Sequence, residues 1–141
     1  MTSNPEKAAL RKHLLEKRDS TSYDLMEIHS KRILSKLIKT KIISEAESIG
    51  CYYSIGSEVQ TLSIIHDLIN SRKNISLPKV NDDTMKFRII KDFEKLEKGS
   101  FGILEPKDDW IEEKSFDIFL IPAISFVIVC PFKIFSFPIF I

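Results

Sequence analysis

Hydrophobic and polar positions alternate along the first 122 residues with two different periods. A helical spacing over 3–18, with Leu10 and Leu14 one turn apart, predicts a first helix with Pro5 in its first turn. Apolar residues recur every three or four positions in two later segments, which predicts helices over 23–39 and 59–71. Short apolar runs predict strands over 47–54, 74–80, 85–90 and 116–122. Strands that alternate with helices are typical of an α/β fold.

Two segments near the end of this pattern differ in polarity. Residues 108–115 are acidic, which indicates an exposed segment. Residues 116–122 form an almost uninterrupted apolar run, which predicts a fully buried strand of a mainly parallel sheet. Ligands of such sheets bind at the carboxyl ends of the strands, and the candidate ends here are 53–54, 78–79 and 122–123.

The overall charge of the chain argues against two classes of partner. The chain has 141 residues, with 21 Lys and Arg against 20 Asp and Glu, a size that suits a single domain. This even balance gives no electrostatic footprint for nucleic acid and no polybasic patch for a membrane.

The two cysteines of the chain lie far apart, and its first 18 residues have no apolar signal region, so we expect a reducing, cytoplasmic setting. We also expect a monomer.

The last 24 residues differ from the rest of the chain. Of the 41 charged residues, 40 lie in 1–117, and only Lys133 lies in 118–141. The same 24 residues hold six of the ten Phe, three of the six Pro and no Gly. We therefore expect a domain over 1–126 and an atypical apolar tail over 127–141.

Two basic residues of the first helix are candidates for anion binding. Lys7 and Arg11 are four positions apart, so a helix presents both on one face. Two neighbouring cations suit an anion such as a triphosphate. The plainer interpretation is a solvated helix face, which is common for charged residues.

The segment 52–61 is the most informative part of the chain. A strand ends there, a glycine turn follows, and Glu58 stands just before a helix. A carboxylate in that position can simply stabilise the helix N-terminus. It can also bind the amine edge of a heterocycle beside Tyr53 at the end of the sheet. Met85 on a later strand and Phe101 in a glycine-bracketed loop offer core packing or the wall of an apolar site.

Six short motifs, in this order and spacing, resemble the 5-formyltetrahydrofolate cyclo-ligase family, also called methenyltetrahydrofolate synthetases. They are Lys7-x-x-x-Arg11, Tyr53-Ser-Ile-Gly-Ser-Glu58-Val-x-Thr61, Leu77-Pro-Lys-Val80, Met85-x-Phe87, Gly99-x-Phe-Gly-Ile-x-Glu-Pro106 and Phe116-Asp-x-x-Leu-Ile-Pro122. The resemblance covers residues 5–126.

The resemblance implies a three-layer α/β/α fold of the sugar-isomerase and CoA-transferase type. It implies cyclisation of 5-formyltetrahydrofolate to 5,10-methenyltetrahydrofolate, with ATP as co-substrate and Mg²⁺ as cofactor. In that chemistry the formyl oxygen attacks the γ-phosphate of ATP, N10 of the folate traps the resulting iminium phosphate, and phosphate leaves. By position, Lys7 and Arg11 match the ATP contacts, and Tyr53 and Glu58 match the folate contacts. Met85 and Phe101 match the lining of the pterin pocket. No catalytic residue and no metal ligand is assigned.

One departure from the family pattern falls at the start of the tail. The family continues with Asp and a Gly-rich basic loop that holds the ATP phosphates, whereas Val127 stands where the Asp is expected. No Gly, Arg, Asp or Glu follows residue 126. Three interpretations remain open for the tail: a frameshifted or truncated product with an incomplete C-terminal fold, a membrane segment, or a genuine strand of a diverged protein. Without the loop we expect a catalytically inactive chain, and the alternative function is a folate- or nucleotide-binding remnant.

Overall fold

The computed structural model describes residues 5–81, 84–99 and 102–124, together with the backbone of 128–130 and 133–135. Its helices are α1 (Pro5–Asp19), α2 (Tyr23–Ile38), α3 (Lys41–Glu45) and α4 (Leu62–Asn70), with a 3₁₀ turn at Phe93–Lys95. The three predicted helices are confirmed. The hydroxyl of Ser22 accepts a hydrogen bond from the Leu25 amide and caps α2, and Thr40 caps α3 in the same way.

The main sheet has five strands in the order β6-β3-β2-β1-β7. These strands are β1 (Ser48–Gly50), β2 (Asn74–Asn81), β3 (Thr84–Ile89), β6 (Glu112–Glu113) and β7 (Ile118–Phe119). Two short antiparallel pairs form separate sheets, namely β4 (Glu97–Lys98) with β5 (Leu104–Glu105) and β8 (Ile128–Cys130) with β9 (Lys133–Phe135).

The α/β class is confirmed, but the sheet is mixed rather than mainly parallel. Strand β1 runs parallel to both β2 and β7. Strand β3 is antiparallel to β2 and to β6. The reason is the short connection between β2 and β3, where Asn81 pairs with Thr84. A parallel return needs a crossover of about a dozen residues, so this segment forms a hairpin.

The hydrophobic core lies between the sheet and the short helices. Helix α4 packs against β2 with its apolar side, as the spacing of its isoleucines and leucines predicts. The fully buried core side chains come from β1, β2, α3 and α4 and include Ile43, Ile49, Ile64, Ile65, Ile75 and Leu77. Helix α1, in contrast, contributes no buried residue. It therefore lies outside the core.

A cluster of phenylalanines lies at the β1–β7 pairing. Consecutive residues of a strand point to opposite faces, so Ile49 faces the core and Gly50 faces away from it. A Cβ atom at Gly50 would overlap the ring of Phe119. The ring centroid of Phe116 lies 4.4 Å from that of Phe119, and Phe87 meets both rings at 5.3 Å. The glycine is thus needed for close packing of this aromatic ring.

Two predictions about exposure hold only in part. Five of the eight residues 108–115 are exposed, but Trp110 is buried and strand β6 pairs with β3. The run 116–122 is not fully buried, because Phe119 is 46% exposed and Ile121 is 75% exposed. Within the described part of the chain, β7 is one of the two edge strands of the main sheet. No helix among the described residues has both the length and the apolar character needed to cross a membrane.

Asp117 joins the beginnings of β1 and β7. Its Oδ2 atom accepts hydrogen bonds from the backbone amides of Ser48 and Glu47 at 3.0 and 2.9 Å. These two bonds lower the pKa of the Asp117 carboxyl. The ionised side chain therefore helps to hold two parallel strands in register.

Replacement of Asp117 by Asn tests this role through pH. A lowered pKa in the folded state means that the charge stabilises the fold above the unfolded pKa of about 3.9, and that this contribution disappears as pH falls through the folded value. We expect Asp117→Asn to lower the urea midpoint at pH 7 and the difference from the parent chain to shrink in acid. A difference that stays constant from neutral pH into acid would contradict this role.

Candidate functional site

An open cleft lies at the carboxyl ends of β1 and β7. Because these strands are parallel, the segments that follow them meet at the same edge of the sheet. The cleft is lined by Arg18, Tyr52, Glu58, Val59 and residues 121–123. It is small and open to solvent, so it can contact one part of a ligand but does not bury a whole one.

A tight turn fixes Glu58 at the cleft. Gly56 adopts a positive φ of 54°, a conformation that glycine takes without strain. The Glu58 carboxylate accepts the amide of Ile55 at 3.1 Å, and the Glu58 amide donates to the Ile55 carbonyl at the same distance. The side-chain amide of Gln60 donates to the carbonyl oxygens of Glu58 and Gly56. The carboxylate is thus held by its own loop.

A residue of α2 and the residue just before α4 anchor this loop. The amide of Gln60 donates to the hydroxyl of Ser30, a buried residue of α2, at 3.0 Å. The hydroxyl of Thr61, just before α4, donates to the Tyr52 carbonyl at 2.8 Å and accepts the Ser54 amide at 3.2 Å. Thr61 is 1% exposed. The loop that carries Glu58 is therefore tied to the core at both ends.

Two titratable residues directly after β1, Cys51 and Tyr52, are unsuited to acid–base work near neutral pH. Burial raises the pKa of the Cys51 thiol to about 12. Burial is also the main cause that raises the pKa of Tyr52 above its ordinary value. The Tyr52 hydroxyl donates to the carbonyl of Val59 at 3.0 Å, so its proton is already engaged. Tyr52 is thus a wall of the cleft.

Arg18 brings α1 to the cleft. Its Nε atom donates to the hydroxyl of Ser57 at 2.9 Å, and that hydroxyl donates to the carboxylate of Asp19. Among the described residues, no ion pair within 4.0 Å joins Arg18 to Glu58. The cleft thus holds a cation and a carboxylate that are fixed separately by the same loop.

The structure brings only part of the predicted site together. Glu58 lies in the cleft, but its predicted companion Tyr53 packs against the core, with its ring stacked on that of Phe93 at 6.4 Å. Lys7 and Arg11 are exposed on α1, and Met85 is 62% exposed on β3. Phe101 lies outside the described residues.

Sequence reasoning missed Tyr52 and Arg18. Tyr52 and Tyr53 are adjacent and of one residue type, so the sequence does not say which of them faces the cleft. Arg18 is seven positions after Arg11, close to two full helical turns, so the sequence places it on the same face of the helix as Arg11. Of the three candidate strand ends, 122–123 lies at the cleft, as predicted.

A buried ion pair connects two of the sequence motifs away from this cleft. The Nζ atom of Lys79 lies 3.4 Å from a carboxylate oxygen of Glu105, and the two side chains are only 12% and 4% exposed. The Leu-Pro-Lys-Val and Gly-x-Phe-Gly-Ile-x-Glu-Pro motifs are thus joined in space. Within the described ranges, no group of three His, Cys, Asp or Glu side chains is placed to hold a metal ion.

These features define a class: an α/β protein with a small-molecule cleft at the carboxyl ends of parallel strands. A family model described as the 5-formyltetrahydrofolate cyclo-ligase family matches residues 3–127. The chain belongs to that family.

Three proteins are similar to the chain. It is 22% identical, over 130 residues, to a Caenorhabditis elegans protein named as a probable 5-formyltetrahydrofolate cyclo-ligase, covering 85% of this chain and 63% of the relative. It shares its fold with a 5,10-methenyltetrahydrofolate synthetase from Aquifex aeolicus, with a TM-score of 0.77 at 24% identity over 84% of this chain and 61% of the other. The Mycoplasma pneumoniae enzyme gives 0.62 at 24% identity, over 85% and 65%. The chain thus spans less than two thirds of these relatives.

Proposed function

We propose that this chain carries the folate-binding part of a 5-formyltetrahydrofolate cyclo-ligase, which closes 5-formyltetrahydrofolate to 5,10-methenyltetrahydrofolate and converts ATP to ADP and phosphate. The observation that carries the proposal is Glu58, held rigidly at the cleft by the Ile55 amide. This cleft lies inside the region that the family model matches. We propose the same setting as the sequence indicates, a cytoplasmic monomer.

In this proposal Glu58 binds the amine edge of the pterin ring. A carboxylate accepts N–H donors strongly, and a fixed carboxylate loses little freedom when a ligand binds. Tyr52 forms the wall beside it, and the strand end at 121–123 forms the opposite side. Tyr53, Met85 and Phe101 remain proposed folate contacts.

Lys7 and Arg11 are the proposed contacts for ATP. Both are exposed cations on one face of α1, which suits a chain of phosphates. When bound with ATP, Mg²⁺ supplies charge neutralisation of the phosphates. The described residues hold no three-ligand metal cluster, so we assign no residue and no step to the ion.

The Glu58→Gln variant tests the folate site. Glutamine keeps an oxygen for the Ile55 amide but lacks the charge, and a hydrogen bond to a charged group contributes about 1.5–3 kcal/mol. We expect affinity for 5-formyltetrahydrofolate to fall roughly 10- to 100-fold by titration calorimetry. The matched control is Glu45→Gln, an exposed glutamate of α3, which should bind like the parent chain. Equal affinity in both variants would remove Glu58 from the site.

A second function, binding without turnover, is favoured by the composition of the tail. Residues 127–141 contain no Gly, Arg, Asp or Glu, so they do not carry the phosphate-binding loop that the resemblance implies. We propose that these 141 residues bind folate and form no product.

Incubation with 5-formyltetrahydrofolate, ATP and Mg²⁺ separates the two functions. We expect no ATP-dependent rise in the absorbance of the methenyl product, although binding persists. A rise that requires ATP would show that the chain is an active enzyme and would contradict binding without turnover.

A further inference from the structure

Three cations form a row along α1. Lys7, Arg11 and Arg18 differ by four and seven positions, so at 3.6 residues per turn they fall within an arc of about 40°. The row is about 16 Å long at 1.5 Å per residue. Like charges along one line repel each other, and a chain of negative groups laid along the helix would relieve that repulsion.

Only the last member of this row enters the cleft. Lys7 and Arg11 are exposed, whereas Arg18 is half-buried and lines the cleft wall. Its Nε atom is fixed by Ser57 at 2.9 Å. The two terminal amino groups of Arg18 make no hydrogen bond and no ion pair within the described ranges 5–81, 84–99 and 102–124. The guanidinium is thus held at one edge, and its outer edge is available to a ligand.

Two nearby carboxylates do not take that outer edge. Asp19 is engaged through the Ser57 hydroxyl, and Glu58 is engaged by the Ile55 amide. Since Glu58 disfavours a second negative group beside it, an anion in the cleft must lie on the Arg18 side. The cleft therefore suits N–H donors on the Glu58 side and an oxyanion on the Arg18 side.

We propose that Arg18 is an oxyanion-binding residue that takes the terminal phosphate of a polyphosphate chain, whose remaining phosphates meet Arg11 and Lys7. An anchored guanidinium offers two parallel N–H donors, the geometry that phosphate accepts best. The proposal rests on the proposed function and extends it, because it places the terminal phosphate beside the group that Glu58 binds.

Inorganic tripolyphosphate is the probe, because it carries the phosphate chain without a base or a folate. Titration at about 0.15 M salt, where exposed charges are largely screened, compares the parent chain with Arg18→Gln, Arg18→Lys and the control Lys12→Gln. Lys12 is an exposed cation on α1 one position after Arg11, so it removes the same charge from another face. We expect Arg18→Gln to weaken tripolyphosphate binding at least about tenfold. The affinity of Arg18→Lys for tripolyphosphate should lie between those of the parent and of Arg18→Gln. The affinity of Lys12→Gln should stay within about twofold of the parent.

A further variant separates the anchoring of the Arg18 guanidinium from its charge. Ser57→Ala keeps the guanidinium but removes its anchor, so we expect weaker binding of tripolyphosphate without loss of charge. Unchanged tripolyphosphate affinity in Arg18→Gln and Arg18→Lys would overturn the proposal, as would an equal loss in Lys12→Gln.

A second ligand, 5-formyltetrahydrofolate, distinguishes the source of the oxyanion. If Arg18→Gln weakens this ligand and leaves tripolyphosphate unchanged, Arg18 binds a folate carboxylate and the phosphate assignment is wrong. If tripolyphosphate binding depends on Arg18 but neither the parent chain nor any variant binds 5-formyltetrahydrofolate, the anion site is supported and the proposed function is wrong.

Discussion

The Lys79→Met variant is expected to lose about 3 kcal/mol or more of its free energy of unfolding, because it leaves a buried carboxylate without its lysine. Lys79 and Glu105 are the most buried ion pair among the described residues, at 12% and 4% exposure. The expected result is a clearly lower urea midpoint with an unchanged slope, because the surface exposed on unfolding stays the same.

The neighbouring strand makes the loss of Glu105 costlier than the loss of Lys79. Lys79 of β2 stands directly opposite Lys86 of β3, and like charges in that position destabilise a sheet. Each lysine has its own acid, since Lys86 lies 3.3 Å from Glu112. The reverse variant, Glu105→Gln, would therefore leave a buried ammonium group facing a second one. We expect it to be destabilised at least as much as Lys79→Met.

A matched pair of controls makes this prediction sharp. Lys86 is 49% exposed, so Lys86→Met should change the free energy of unfolding by less than about 1 kcal/mol. The double variant Lys79→Met with Glu105→Leu should regain much of the loss, because a buried ion pair is often replaced by apolar residues without cost. A Lys79→Met protein as stable as Lys86→Met would show that the buried pair contributes nothing.

The second large effect is expected from Thr61→Val. Valine has nearly the shape of threonine but its side chain cannot hydrogen bond, so the Ser54 amide loses its partner inside the protein and the Tyr52 carbonyl keeps only the weak Cys51 thiol donor. An unsatisfied buried group costs about 1–3 kcal/mol. We therefore expect a loss of about 2 kcal/mol or more, measured by urea unfolding. The Ser54 amide should also exchange its hydrogen faster.

An exposed threonine with a similar bond is the control. Thr84 donates to the Asn81 carbonyl at 3.0 Å from an exposed position on β3. Water replaces that bond readily, so Thr84→Val should change the free energy of unfolding by less than about 0.5 kcal/mol. If both valine variants were equally stable, the hydroxyl of Thr61 would not be what ties the cleft loop to the core.

The long periodic elements were predictable from the sequence. Helix α2 spans Tyr23–Ile38 where 23–39 was predicted, because its cap and its apolar stripe are both local features. The two strands of the β2–β3 hairpin were also predicted from their apolar runs, but their antiparallel pairing was not. Local chemistry decides such elements before tertiary contacts act.

The short elements were not predictable, because tertiary contacts create them. Helix α3 has five residues, too few to show a helical period, and depends on its Thr40 cap. Strand β6 has two glutamates that pair with Arg88 and Phe87 of β3, and their acidity indicated only exposure. The parallel pairing of β7 with β1 agrees with its apolar sequence, but the sequence did not show that this strand lies at the edge.

Among the cleft residues, Glu58 was predictable from the sequence, but Tyr52 and Arg18 were not. Glu58 stands between a glycine turn and a helix, and that local position alone indicated its importance. The choice between Tyr52 and Tyr53 depends on Phe93, which takes the ring of Tyr53 from a distant part of the chain. Likewise, Arg18 joins the site through Ser57, 39 positions later in the sequence.

Amide chemical shifts of the isotope-labelled chain show whether the cleft at the ends of β1 and β7 binds folate. On titration with 5-formyltetrahydrofolate, we expect saturable shifts concentrated in residues 52–61 and 121–124. In Glu58→Gln these shifts should not reach saturation at the same ligand concentrations. Shifts that saturate elsewhere and leave both segments unchanged, or no shifts at millimolar ligand, would contradict folate binding in this cleft.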